Sequence, residues 1–354
     1  MDKNSKIYIA GHNGTAGSAI LHRLKEMGFV NILTRSSKEL DLRRQSDVEV
    51  FLRKEKPEYI FLTAAKMSGM LDQAYQKGEL IYDNIMIQSN VIHGAYLNNV
   101  RKMIICGSGS MYPRKIFNSL KEEDLMKGVL EETRESYGLA KIAGAVMCES
   151  YNVQYGTEYF TLAFNNLYGN NMDFDFRTSR VIPAFVRKFH LAKLLNEKKY
   201  GDILLDLNLQ DENEAISYLK TNGIYEDYVD IWGSGRAKRE FIHSSDLADA
   251  CIFIMKNVSY KNLNSFCGSE LKSLINIGNE VEYTIYELAG IVKNIVGFCG
   301  KIHCDLSKPD TSVNRVMDCS KIHSLGWKYK IGLEEGVKIM YEDYLQNSKR
   351  VLRG

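Results

Sequence analysis

The sequence is poor in chain breakers and in paired cysteines. Only four prolines (Pro57, Pro113, Pro183 and Pro309) occur in 354 residues, so long uninterrupted helices and strands are permitted. The seven cysteines are odd in number and contain no Cys-x-x-Cys pair, which argues against a disulfide framework and suits a reducing compartment. Cys299, His303 and Cys304 lie near one another in the chain, but their spacing does not suit a metal, and none is expected. Neither sign of charge dominates: 46 basic against 44 acidic residues leave a net charge of +2. That balance excludes the basic footprint of a nucleic-acid binder and gives no reason for attachment to an anionic membrane. No apolar run reaches membrane-spanning length. The opening MDKNSKIYIAG passes straight into a strand-like run with no signal peptide, so a cytoplasmic protein is expected.

What is present is ordinary globular composition, 45% apolar and 25% charged, over a length that suggests two domains. Residues 6–10, 30–34, 58–64, 102–107 and 158–164 are short β-rich apolar runs. Helix-like stretches at 15–27, 45–54, 79–97 and 134–154 separate them. Alternating strands and helices predict right-handed crossovers and a parallel sheet. The expected fold is therefore α/β, a Rossmann-type doubly wound parallel sheet with a smaller mixed α/β substrate-binding domain. The first domain spans 1–165, joined by about 236–258; the second takes 166–235 and 259–354. After residue 166 the pattern weakens into a loop, GNNMDFDFRTSR, and a helix-like VIPAFVRKFHLAKLL. Residues 195–227 are polar and helix-forming, and read as an inserted surface segment with solvated charge runs.

IYIAGHNGTAGSAI places Gly11, Gly14 and Gly17 between the first strand and the first helix. The first glycine permits a tight turn, the second a close approach to a pyrophosphate, and the third close helix packing. The pyrophosphate would rest on the helix N-terminus. After the second strand, LTRSSKELDL offers Arg35, Ser36 and Lys38 and no carboxylate at the strand's end, which favours the 2′-phosphate of NADPH over NADH.

RESYGLAKIAG sets Tyr137 and Lys141 four residues apart, on one helical face. A neighbouring ammonium favours a phenolate, so such a tyrosine can exchange a proton with an alcohol or carbonyl oxygen near neutral pH. Upstream, GSGSMYP ends a strand-like run with Ser108 and Ser110.

These motifs resemble the extended short-chain dehydrogenase/reductases, and within them the GDP-L-fucose synthases. The resemblance runs through IAGHNGTAGSAI, ELDL, LTAAKMSGM, IYDNIMIQSNVIH, GSGSMYP, KIAGAVMCESYNVQYG, NNLYG, RVIPAFVRKFH, WGSGRAKREFIHSSDLADA, KPD and HSLGW. It covers nearly all of the chain apart from 195–227. It implies a catalytic triad of Ser108, Tyr137 and Lys141, with Ser108 bonding the substrate C4 oxygen and Lys141 holding the nicotinamide ribose. For the cofactor it adds Asn13, Thr15, Asp41, Leu42, Ala64, Ala65 and Lys66. Asn13 replaces an arginine that fucose synthases carry in the glycine loop, which places more of the 2′-phosphate on Arg35. For the GDP-sugar substrate it implies Gly109, Ser110, Met111, Asn166, Leu167, Arg180, Val181 and Lys188, together with Trp232, Arg239 and Lys308. Gly109 stands where fucose synthases carry a bulkier serine, and is expected to make room. A homodimer packed through the Tyr-Lys helix and the 79–97 helix is also implied.

Fucose synthases epimerise C3 and C5 before reducing C4, with a cysteine and a histidine that here are Ser110 and Arg180. A serine hydroxyl is far less acidic than a thiol and needs an adjacent base, and arginine stays protonated. The pair is disabled while the reducing triad is intact. That pattern, with the insertion, resembles the branch of C4-reductases that serve 6-deoxy or modified heptoses of bacterial capsules. The alternatives are a bifunctional GDP-L-fucose synthase with other residues in the epimerase role, and a non-catalytic NADPH-binding sensor or scaffold.

Overall fold

The computed structural model describes residues 1–67, 75–116, 118–265, 271–308, 310 and 316–351. Ser68, Gly69 and Met70 of LTAAKMSGM, as well as Cys267 and Pro309, lie outside the described residues. The chain divides into two compact units, Met1–Leu167 with Phe241–Glu280 and Arg315–Lys330, and Tyr168–Glu240 with Val281–Asn314 and Ile331–Gly354.

The first unit is built on six parallel strands: β1 (Ile7–Ala10), β2 (Ile32–Arg35), β3 (Tyr59–Leu62), β4 (Lys102–Cys106), β5 (Tyr159–Phe164) and β6 (Leu274–Ile277). Their spatial order is β6-β5-β4-β3-β1-β2. The helices are α1 (Thr15–Glu26), α2 (Gln45–Glu55), α3 (Lys77–Leu97), α4 (Glu135–Tyr155) and α5 (Ser244–Asn257). Both sheet faces are covered, which is why the strands read as continuous apolar runs. Ile7, Ile9, Phe61 and Ile104 face Ile20 and Leu24 of α1 and Leu247 of α5. Tyr8, Ala10, Ile60 and Met103 face Phe51 of α2 and Val91 and Ile92 of α3. The sequence order reverses between β1 and β3, the switch point at which doubly wound sheets bind ligands at the strands' C-terminal ends.

The division differs from the expected boundaries. Residues 259–280 and 315–330 belong to the sheet unit, because Leu274–Ile277 pairs in register with Thr161–Phe164. Lys321 Nζ then donates to the carbonyls of Lys272 and Leu274 at 2.8 and 2.7 Å, fastening the later segment to β6.

The second unit is mixed α/β. Helix Val181–Asn196 packs on helix Ile285–Val296. Strand Tyr228–Trp232 pairs in parallel with Lys301–Asp305, and Lys238–Arg239 pairs antiparallel with Tyr283–Thr284. The 195–227 stretch forms two short helices, Tyr200–Leu207 and Glu212–Thr221. They are more than a solvated face, since Ile203, Ala215 and Leu219 are buried. Among the described residues no helix is long and apolar enough to cross a membrane.

Candidate active site

Beyond β4 the chain makes a tight turn, Gly109–Met111, with Ser108 extended before it. Ser108 Oγ accepts the Ser110 N–H at 3.1 Å, which fixes the serine rotamer and uses the oxygen as acceptor only. The hydroxyl proton remains available to donate. The turn is anchored from behind by Tyr112, whose hydroxyl donates to Asn276 Oδ1 at 2.5 Å. Asn276 in turn donates its backbone N–H to Glu122 Oε1 and its amide to the Leu120 carbonyl, each at 2.8 Å. Gly109 makes room for a protein group: a Cβ there would strike Asn165 Oδ1, so the space its missing side chain leaves is taken by that amide.

Tyr137 and Lys141 sit one turn apart on α4, 9% and 2% exposed. Lys141 Nζ donates to the Cys106 carbonyl at 2.8 Å and lies 5.6 Å from the centre of the Tyr137 ring. Burial pushes the Lys141 ammonium down to about 8, against a smaller opposing effect of the Cys106 thiol. The helix reaches the serine turn because Gly138 has no side chain: a Cβ would collide with the Ser110 carbonyl oxygen. At Gly144 a Cβ would lie 2.5 Å from Gln88 Oε1, and Gln88 donates to the Ala140 carbonyl at 2.9 Å, locking α3 to α4. Gly138, Gly144, Gln88 and Asn276 were not among the residues singled out from the sequence. The two glycines carried a signal, since an interior helical glycine costs about 1 kcal/mol against alanine and calls for a packing reason.

In the glycine loop, Gly11 adopts φ +90°, and a Cβ on it would lie 2.5 Å from the Ala64 nitrogen. A Cβ on Gly17 would strike the Gly11 carbonyl oxygen. Gly14 differs: its Cβ would meet only that oxygen, at 3.6 Å. It stands at the N-terminus of α1, which has neither a side-chain cap nor an acidic residue in its first turn. Such an end, open in front of a glycine, fits a dinucleotide pyrophosphate. Asn13 is exposed and Thr15 half-buried beside it.

Around the expected ribose and adenine positions, most side chains already have partners. Arg35 donates to the Thr34 carbonyl at 2.7 Å and to Glu55 Oε1 at 3.4 Å, and lies over the Phe51 ring. Arg35 is thus not an uncommitted charge, and a 2′-phosphate must compete with Glu55 for it. Ser36 gives both its N–H and its hydroxyl to Glu39 Oε2 at 2.7 Å, and Lys38 is exposed. Asp41 receives two bonds from Arg43 at 2.9 Å, and the Leu42 carbonyl accepts from Asn90. Beyond β3, Ala64 N–H bonds the Ala10 carbonyl, and half-buried Ala65 follows. The Lys66 backbone exchanges two 3.0 Å bonds with the Asn84 amide, while its ammonium pairs with Glu79 and Asp83. A cleft of about 450 Å³ is lined by Asp41, Arg43, Arg44, Gln45, Ser46 and Tyr82. Arg43 and Arg44 were not singled out from the sequence, although they directly follow ELDL.

Asn166 and buried Leu167 close the first stretch of the sheet unit. On the second unit, Arg180 is exposed at the N-cap of helix Val181–Asn196, with Val181 half-buried next to it. Lys188, on the same helix, is buried and donates to the Asp230 carbonyl at 3.0 Å; burial pushes its ammonium down to about 8. Trp232 is 51% exposed, so it is not a core residue, and Lys308 Nζ lies 5.8 Å from its ring centre. Arg239 is buried, paired across the strands with Tyr283.

A model of the NAD dependent epimerase/dehydratase family matches residues 7–265. The chain belongs to that family. It is 40% identical to GDP-L-fucose synthase 1 of Arabidopsis thaliana over 98% of this chain and 95% of the other. Among solved structures it resembles a GDP-6-OMe-4-keto-L-xylo-heptose reductase from C. jejuni, at 52% identity and a TM-score of 0.93, covering 98% of this chain and 99% of that one. A GDP-mannoheptose C4 reductase from Campylobacter jejuni with NADP bound matches at 52% identity and a TM-score of 0.90, with the same coverage. The resemblance drawn from the motifs and the Rossmann-type parallel sheet therefore both stand.

Proposed function

We propose that this chain is an NADPH-dependent reductase acting on the C4 ketone of a GDP-4-keto-6-deoxy-heptose, in capsular polysaccharide biosynthesis, without C3/C5 epimerase activity. One observation carries the reading. Ser108 lies at the turn against which the Tyr137–Lys141 helix packs at Gly138, whereas the two epimerase positions are Ser110 and Arg180.

NADPH, when bound at the α1 N-terminus, supplies the hydride. Tyr137 delivers the proton to the C4 oxygen, the step for which a positioned general acid is worth about 10²–10⁴-fold. Ser108 donates its hydroxyl hydrogen bond to the same oxygen, where negative charge develops. Lys141 lies close enough to the Tyr137 ring for its charge to stabilise the phenolate left behind. The hydride and the proton together convert the ketone to an alcohol, and no carbon-bound hydrogen is removed. Ser110 gives its N–H to Ser108 and cannot take a proton unaided. Arg180 is cationic at all working pH values.

Lys188 and Arg239 supply positive charge for the diphosphate, and the exposed Trp232 face, backed by Lys308, suits a stacked guanine. Val181 adds a further contact on the second unit, and the motif resemblance assigns Met111, Asn166 and Leu167 of the sheet unit to substrate. Leu97 on α3 and Val153 and Tyr155 on α4 are exposed apolar residues, which supports a homodimer through these helices. The six free cysteines among the described residues support the proposed cytoplasmic location.

The test is a panel of GDP-4-keto-6-deoxy hexoses and heptoses, followed by NADPH absorbance with product NMR. The heptose is expected to give the highest kcat/KM, and Tyr137→Phe to abolish NADPH loss. Preference for the hexose overturns the heptose assignment, and no turnover of either overturns the reductase reading.

A further inference from the structure

The two helices within 195–227 have no part in the chemistry above, yet they are tied to the loop that leads into Arg180. Arg187, on helix Val181–Asn196, donates from Nε to Asp206 Oδ1 at 2.8 Å and from Nη2 to the Asp206 carbonyl at 3.0 Å. Its remaining nitrogen, Nη1, donates to the Phe174 carbonyl at 3.2 Å. The side chains of Arg187 and Asp206 are only 15% and 8% exposed. The guanidinium carbon lies 5.1 Å from the Phe176 ring centre, and Phe176 stacks on Tyr218 of the second inserted helix. Tyr344, from the terminal helix, packs on Phe174 and donates its hydroxyl to Asp206.

The loop so gripped is stiff in itself. Asp175 accepts the N–H of Arg177 at 2.9 Å through its carboxylate and that of Ser179 at 2.7 Å through its carbonyl. Fixing Phe174 and Phe176 therefore fixes Ser179, and with it Arg180 at the helix N-cap. We infer that the inserted segment is a brace: through Asp206 and Tyr218 it clamps the Phe174–Phe176 loop around Arg187, and makes Arg187 the positioning residue for Arg180. Its benefit to substrate rests on the reading that Arg180 contacts the sugar nucleotide.

Two variants of the full chain test this. Asp206→Asn keeps an acceptor but removes the charge, and Phe176→Ala opens the ring contact without leaving an unpaired charge. Trypsin cleavage after the exposed Arg177, mapped by mass spectrometry, is expected to accelerate about tenfold in both, because cleavage follows the open population. Phe176→Tyr should restore protection. In the same variants KM for the keto sugar is expected to rise about tenfold, with kcat and NADPH affinity little changed. Unaltered cleavage overturns the brace. Faster cleavage with an unchanged KM overturns the positioning of Arg180. If the wild-type turns over no keto sugar, the reductase reading fails, and the cleavage rates alone decide the brace.

Discussion

Gly138 and Ser110 meet backbone to backbone: a Cβ on Gly138 would strike the Ser110 carbonyl oxygen. The distance from the proton donor to the serine hydroxyl is thus set by a residue with no reactive group. Gly138→Ala improves local helix propensity yet forces α4 away from the turn. We expect kcat/KM to fall about 10²-fold, the penalty for displacing a reacting group by about an ångström. NADPH affinity, measured by fluorescence quenching, is expected to stay within threefold or so. Full activity in Gly138→Ala would show that the helix–turn contact does not set the catalytic geometry.

Lys141 makes the reaction sensitive to alkali. Burial lowers its folded-state pKa to about 8, from the usual lysine value of about 10.5. The ammonium form supports the Tyr137 phenolate, so kcat/KM of the free enzyme should decline as pH rises through about 8. The sign for stability is the reverse. Between about 8 and 10.5 the unfolded chain binds more protons at this site than the folded one, so unfolding becomes harder as pH rises. That gain is complete above the unfolded pKa and lost as pH falls to about 8. A pH–rate profile flat to pH 9.5 would remove Lys141 from this role.

Cofactor choice is expected to turn on the contact between Arg35 and Glu55. Arg35→Ala should weaken NADPH much more than NADH, because it removes a charge-assisted partner of the 2′-phosphate. Glu55→Gln should do the opposite, since it releases the guanidinium and leaves the strand intact. Dissociation constants for both cofactors in both variants check this; parallel changes for NADPH and NADH would assign Arg35 a structural role alone.

Reduction without epimerisation leaves an isotopic trace. In D₂O the product should carry no enzyme-dependent deuterium at C3 or C5, after subtraction of an enzyme-free control. An epimerase must exchange those hydrogens, because its acid and base equilibrate with water. Deuterium at either carbon returns the protein to the bifunctional fucose-synthase type.

The sheet and its helices were legible because each strand is a short apolar run and longer helix-forming stretches separate them, from Ile7 to Phe164. Gly11 was legible because a tight turn calls for glycine, and the Tyr137–Lys141 proximity because four residues span one helical turn. Less could be read where a residue acts through space. Leu274–Ile277 looks like any short apolar run, and only pairing with β5 assigns it to the first unit. Glu55 stands twenty positions beyond Arg35, one helix later, and nothing local marks it as that residue's partner. Asn276 and Gln88 act by bonding main-chain groups far away in sequence, a role that any amide could fill. Gly109 was read as space for substrate, but Asn165 occupies that space.

The late arrival of β6 has a consequence for biosynthesis. When Phe164 leaves the ribosome, β5 is the outer strand of an incomplete sheet, and its hydrogen-bonding edge stays bare until residue 274 is made. The intervening chain supplies most of the second unit first. Bare parallel edges template association between nascent chains, and non-local pairing of this kind is slow. Shielding of the β5 edge during translation is therefore expected to favour folding, and a fragment ending inside the second unit is expected to aggregate more readily than the full chain.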